Sequence, residues 1–189
     1  MRLILTEEEK NNILDMHGKA RLLEQSNSRL DGTKMKASQK YFDAIKEFEG
    51  DPRKRSEGVK QPILTAYDDG TGVMTIGYGH TEGVKKGDTV TKQEALKLLY
   101  SDSTEAANCV RRFLNGWKSQ GLESHKLTQG EFDALVSLVF NSGCEAVRES
   151  DFIQLLKKGE NEKAGTSIKN YRSGGLESRR EAESKMFLS

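Results

Sequence analysis

Apolar residues recur at three- and four-residue intervals along most of this chain, and one central stretch trades that spacing for β-branched and aromatic residues around a tight turn. Thr6 and Glu9 form a capping-box pattern ahead of Ile13, Leu14, Met16, His17, Ala20 and Leu23, which predicts an amphipathic helix over residues 6 to 24. The stretch SNSRLDGTKMK, residues 26 to 36, is polar and aperiodic and reads as a linker. Residues 1 to 36 are therefore expected as an appendage, and residues 37 to 189 as the main folded unit. Ser38 caps a second helix through Tyr41, Phe42, Ile45 and Phe48, which Gly50 stops, so Glu49 closes it. Residues 63 to 78, with their DDGTG turn and TIGYG segment, predict a small antiparallel sheet. Two further capping boxes, Thr91 with Glu94 and Thr128 with Glu131, open long helices, the second ending at Gly143. Ser150 starts a helix through Phe152, Ile153, Leu155 and Leu156 to Gly159, and a charged helix runs from about residue 177. The expected class is α+β: a helix, a small antiparallel β-sheet lobe, a long connecting helix and a mostly helical lobe.

Composition narrows this picture only a little. A hydrophobic content of 34% is low, yet 189 residues suffice for a core. With 30 basic against 29 acidic residues, charge offers no argument for nucleic acid. The apolar run Leu3 to Leu5 is too short for a signal-peptide core or a membrane span, so the protein is expected to be made and held in the cytoplasm. Cys109 and Cys144, with no CxxC pair and no export signal, read as two reduced, buried thiols rather than as a disulfide. His17, His80 and His125 are widely spaced and neither cysteine stands near one at zinc-site spacing, so no metal or cofactor is expected.

Two carboxylates bracket the predicted sheet, Glu49 at a helix end and Asp69 in the turn. Glycosidic-bond hydrolysis uses such a pair across a cleft, although among 29 acidic residues a pair by itself is ordinary solvated surface. The surrounding residues add specificity. Ile45-Lys46-Glu47-Phe48-Glu49-Gly50, Ala66-Tyr67-Asp68-Asp69 and Thr75-Ile76-Gly77-Tyr78-Gly79-His80-Thr81 closely resemble the phage-type lysozymes of glycoside hydrolase family 24. So do Phe132-Asp133-Ala134-Leu135, Phe140-Asn141-Ser142-Gly143 and the closing Gly175-Leu176-Glu177-Ser178-Arg179-Arg180-Glu181-Ala182-Glu183, which extends the resemblance over about residues 38 to 189.

The resemblance implies a lysozyme-like fold and a muramidase that hydrolyses the β-1,4 bonds between N-acetylmuramic acid and N-acetylglucosamine in bacterial peptidoglycan, inverting the anomeric centre. It implies a catalytic glutamate, aspartate and threonine at Glu49, Asp69 and Thr75. Glu49 would be the general acid, Asp69 the ionised partner and Thr75 the holder of water. Read without the resemblance, Asp69 is an Asx-turn residue and Thr75 a β-branched strand residue. His80, Thr81, Phe140, Asn141 and Ser150 fall on substrate-facing positions, with His80 read chiefly as scaffold paired to Asp102. Peptidoglycan is the implied partner, met by a monomer without nucleic acid and without a membrane span, and the implied setting is host cytoplasm until release to the wall. A non-catalytic wall-binding or virion structural domain of the same fold is the alternative.

Three features depart from the family pattern. Positions 50 to 68 separate Glu49 from Asp69, longer than the family's short arm. Within them DPRKRSEGVKQ, residues 51 to 61, is expected as a basic solvated loop or longer hairpin beside the cleft. The same segment holds a second Glu-Gly pair, Glu57-Gly58, but only Glu49 ends an amphipathic helix. Gly174-Gly175 runs directly into Leu176, which shortens one wall of the helical lobe. Arg179 and Arg180, set beside Glu177, Glu181 and Glu183, read as an ion-pair-laced helix.

Overall fold

The computed structural model describes residues 28–56 and 59–189, so the helix expected over residues 6 to 24 and the Glu57-Gly58 pair lie outside the described residues. The described chain begins on the body of the protein. Strand β1 (Leu30–Asp31) pairs antiparallel with β6 (Lys126–Leu127). Arg29 reaches Glu131 at 3.0 Å, and Met35 is buried in the core. Part of the stretch read as a linker is thus built into the folded unit. A two-residue strand is too short to show a period, which is why the pattern did not reveal it. Asp31 holds the corner: it accepts from Thr33 N at 3.1 Å and Thr33 Oγ1 at 2.6 Å, and Lys118 Nζ donates to its other oxygen at 2.5 Å. The bond from Lys118, followed by those from Thr33, holds the Asp31 carboxyl well below the usual carboxylate range.

Ser38 caps α1 (Gln39–Glu49) by accepting from Tyr41 N at 3.3 Å, while its hydroxyl donates to the buried Asp133. Tyr41 and Ile45 turn fully into the core. The chain leaves α1 at Gly50, where a Cβ would lie 2.4 Å from Lys60 Cβ and 2.6 Å from Lys46 O, so only glycine fits. Of the two forms expected for residues 51 to 61, a hairpin is present, built from β2 (Asp51–Ser56) and β3 (Val59–Gln61). Lys60 Nζ ties it back to α1 by donating to Glu47 O at 2.6 Å. A second hairpin follows, β4 (Ile63–Asp68) with β5 (Met74–Gly77), setting Tyr67 opposite Thr75.

The capping box of Thr91 and Glu94 opens α2 (Lys92–Ser119), 28 residues and about 42 Å at 1.5 Å per residue, enough to join the two lobes. The second box, Thr128 with Glu131, opens α3 (Gln129–Ser142). Phe132, Leu135, Val136 and Leu138 are fully buried on α3, each worth about 1.5–3 kcal/mol. Around it stand α4 (Cys144–Arg148), α5 (Asp151–Lys157), α6 (Asn161–Ser167) and α7 (Glu177–Phe187). The α+β class expected from the pattern is the one observed.

The expectation of two free thiols is overturned. Cys109 on α2 and Cys144 at the start of α4 form a disulfide with Cα atoms 5.9 Å apart. Compartment and spacing carry that expectation, and neither reports that the fold brings Cys109 on α2 and Cys144 after Gly143 together. Bridging a loop of 35 residues restricts the unfolded chain by about 4 kcal/mol in the chain-entropy account. Cys144→Ala is therefore expected to lower the unfolding free energy by about 2–4 kcal/mol, read from urea melts in oxidising buffer. An unchanged midpoint would mean that the bridge adds nothing.

Asp31 supplies a pH-dependent contribution with a definite sign. Its folded pKa is depressed, so the stabilisation is present above the unfolded value of about 3.9 and is lost as pH falls toward the folded one. Asp31→Asn should lower Tm by more at pH 7 than at pH about 2, where part of the stabilisation has already been lost although the pH still lies above the depressed pKa of the native carboxyl. An equal deficit at both pH values would contradict this assignment.

Candidate active site

Glu49 sits at the end of α1 because Gly50 halts the helix one residue later. Its Oε1 accepts from Arg179 Nη1 at 2.5 Å, and Arg179 lies 4.8 Å over the Phe48 ring. On its other side, a Cβ at Gly79 would approach Glu49 Oε2 to 3.2 Å, and Gly79 has a φ of +89°. Both the space and the backbone there favour glycine, which lets the carboxylate lie against the chain leaving β5. The side chain is 21% exposed, enough for solvent and ligand to reach it.

Asp69 is exposed in the turn of the β4–β5 hairpin. Its Oδ1 accepts from Thr71 N at 2.8 Å, Thr71 Oγ1 at 2.7 Å and Val73 N at 3.3 Å. These bonds, the Thr71 backbone bond foremost, lower its pKa and keep it ionised. The Asx-turn role is therefore real, and it uses Oδ1 alone, since Oδ2 makes no hydrogen bond among the described residues. Thr75 is 4% exposed, and its hydroxyl donates to Val73 O at 3.3 Å. Asp69 N donates to Val73 O at 3.1 Å, which extends the ladder beyond the Tyr67–Thr75 pair. Directly opposed residues share a face, so Tyr67, Asp69 and Thr75 stand on the same side of the hairpin.

Tyr67 connects this face to the helix end. Burial first, and then the charges of Glu49, Asp69 and Asp51, raise its pKa, which places the phenol in the joint field of the α1 and hairpin carboxylates. The sequence reading passed over Tyr67, although its two-residue spacing from Asp69 carried the signal.

A groove of about 400 Å³ opens beside Gly79 and runs between the lobes, lined by His80, Thr81, Asp102 and Phe140 among others. His80 Nδ1 meets Asp102 Oδ2 at 2.8 Å and its Nε2 meets Glu82 O at 3.1 Å, so both ring nitrogens serve the scaffold and the pair ties the sheet lobe to α2. The pair is partly rather than fully buried. Two of the expected substrate-facing residues do not line this groove. Asn141 Oδ1 accepts from Arg180 Nη2 at 2.5 Å, and Ser150 is buried with its hydroxyl donating to Val147 O at 2.6 Å.

The ion-pair-laced helix expected around Arg179 and Arg180 is present, and its two arginines lie inside the protein. The residue pattern did not address burial; Arg179 and Arg180 are 6% and 0% exposed, and Arg179 holds Glu49. The hint was the sharing of one helix face by Arg179 and Glu183, four positions apart. No group of three or more histidine, cysteine or acidic side chains suited to a metal occurs among the described residues.

The phage lysozyme family model matches residues 54–183, a span that contains Asp69 and Thr75 and begins after Glu49. The endolysin of Acyrthosiphon pisum secondary endosymbiont phage 1 is 30% identical over 146 residues, covering 72% of this chain and 92% of that protein. The endolysin of Bacillus phage B103 is 34% identical over 161 residues, 82% of this chain but only 54% of its own length, so this chain spans about half of that relative. Among solved structures, the muramidase domain of SpmX from Asticaccaulis excentricus superposes with a TM-score of 0.66 at 30% identity, covering 82% of this chain and 99% of that one. A groove between two lobes, a helix-end glutamate facing a hairpin with an aspartate and a threonine, and these matches converge: the chain belongs to the phage lysozyme family.

Proposed function

We propose that Glu49, Asp69 and Thr75 together hydrolyse the β-1,4 bond between N-acetylmuramic acid and N-acetylglucosamine in bacterial peptidoglycan. As a phage lysozyme the chain is a glycoside hydrolase that acts on peptidoglycan. The observation that carries the residue assignment is the convergence of α1 on the second hairpin. Glu49 lies against Gly79, and its charge reaches Tyr67, the cross-strand neighbour of Thr75.

In this reading the strand lies in the groove, and the Glu49 carboxyl gives its proton to the leaving oxygen as the C1–O bond breaks. Water held by Thr75 attacks C1 from the opposite side and passes its proton to Asp69, which inverts the anomeric centre. The Thr75 hydroxyl proton is directed to Val73 O, which leaves oxygen lone pairs to accept from that water. Asp69 remains ionised until that moment because the turn amides stabilise its charge. His80, Thr81 and Phe140 contact the sugar from the groove walls, while Asn141 and Ser150 support the wall behind it. The catalytic unit is residues 37 to 189 together with the short β1 segment, and the residues before it are an appendage. The protein acts as a monomer, without nucleic acid or cofactor, and is held in the host cytoplasm until released to the wall. No helix among the described residues is long and apolar enough to cross a membrane.

The deciding measurement is turbidity loss of purified peptidoglycan, with assay of new reducing ends, for the native chain, Glu49→Gln and Glu57→Gln. Glu49→Gln should reduce turnover at least about a hundredfold while staying folded, and Glu57→Gln should remain active. The reverse pattern would move the acid to Glu57, and an inactive native chain would favour a wall-binding domain. The basic hairpin gives a second prediction. Removing residues 51 to 61 should weaken binding to intact walls and flatten its salt dependence, because four cationic side chains near an anionic polymer act within a Debye length of about 8–10 Å. Superimposable salt curves would exclude that contact.

A further inference from the structure

Beneath the groove lies a polar ladder that the catalytic scheme does not use, and its centre is Glu183. This carboxylate is fully buried on α7. Its Oε1 accepts from Arg179 Nε at 3.1 Å and from Ser137 Oγ at 2.6 Å, and its Oε2 accepts from Arg180 Nη1. Arg179 continues the ladder to Glu49, with its Nη2 on Ser137 O at 3.5 Å. Arg180 continues it in the other direction, to Asn141 Oδ1 at 2.5 Å, Ser142 Oγ at 3.3 Å and Tyr171 O at 2.8 Å.

We propose that Glu183 is a positioning residue for the hydrolysis, acting on Glu49 through Arg179. The inference rests on the muramidase reading given above. Two buried guanidiniums face two carboxylates, and each arginine needs a compensating charge inside the protein. Glu183 supplies it to both. It holds the Nε side of Arg179, so the guanidinium presents Nη1 to Glu49 from a fixed place and its charge is divided between two partners. Glu49 is thereby held by Oε1 while Oε2 faces Gly79. A glutamine at position 183 offers one acceptor oxygen and an NH2 that can only donate, so whichever way it is turned that NH2 meets one of the two guanidiniums, which also only donate. Arg179 then loses its second anchor and its whole charge falls on Glu49, the group that has to carry a proton to the leaving oxygen.

The effect should appear in turnover rather than in binding, because Glu183 is buried away from the groove. Displacements of about 1 Å in a catalytic constellation can cost about a hundredfold in rate. The test is steady-state release of reducing ends from solubilised peptidoglycan by the native protein, Glu183→Gln, Arg179→Gln, the double variant and Ser137→Ala, each checked by circular dichroism. Glu183→Gln should lower kcat roughly ten- to a hundredfold with KM within about twofold. It should add nothing further once Arg179 is glutamine, since residues acting as one unit are non-additive. Ser137→Ala removes one donor from Glu183 Oε1 and should lower kcat in the same direction by a smaller factor. Full kcat in folded Glu183→Gln, or losses that multiply in the double variant, would overturn the proposal. If Glu183→Gln does not fold, Ser137→Ala decides, and an unchanged kcat there overturns it. A native protein that releases no reducing ends would instead remove the muramidase reading on which the proposal stands.

Discussion

A guanidinium buried between two lobes has to be neutralised from both sides, and Arg179 meets that demand by bonding Glu183 on its own helix and Glu49 at the end of α1. Much of the site follows from this arrangement. The ion pair joins residues 130 positions apart and brings α7 to the end of α1. The Phe48 ring beneath the guanidinium closes one face, and Gly79 closes the opposite side of Glu49. The carboxylate is therefore confined by charge, by an aromatic surface and by backbone, and it keeps about a fifth of its surface exposed.

Against that fixed point the β4–β5 hairpin brings a different kind of order. Its turn is organised by Asp69 itself, which spends one oxygen on the amides of Thr71 and Val73 and keeps the other out of the turn's own bonding. A single residue thus shapes the loop that presents it. The inserted hairpin of residues 51 to 61 is compatible with this geometry because it starts and ends at one place, where Gly50 admits Lys60 and Lys60 bonds to Glu47. The hairpin is thus closed at its base, where Asp51 pairs with Gln61 beside the end of α1. The two lobes are then joined by the length of α2, by the His80–Asp102 pair and by the Arg179 bridge.

Legibility varied with the range of the interaction. Both capping boxes, the Ser38 cap and the stop at Gly50 are satisfied within three or four residues, and each was readable from residue type and spacing. The same holds for the hairpin turn of Asp68 to Val73, whose bonds run two to four residues. The hairpin formed by residues 51 to 61 was readable as one of two forms. The Cys109–Cys144 bridge was misread, because reasoning from compartment says nothing of whether two thiols meet. The β1–β6 pairing was missed because two residues carry no period.

By itself, the amino-acid order determined where the capped helices begin, where α1 stops and where the hairpin turn falls. Those properties depend on neighbours a few residues away, so their signal stays local. The tertiary structure alone decided that Arg179 is buried against Glu49, that Glu183 stands between two arginines, that Asn141 serves Arg180 and that Cys144 meets Cys109. Each of these joins segments far apart in the chain, and a charged residue has the same letter on a solvated helix as beneath an active site. Only burial, which the whole fold sets, turns such a charge into one that must find a partner.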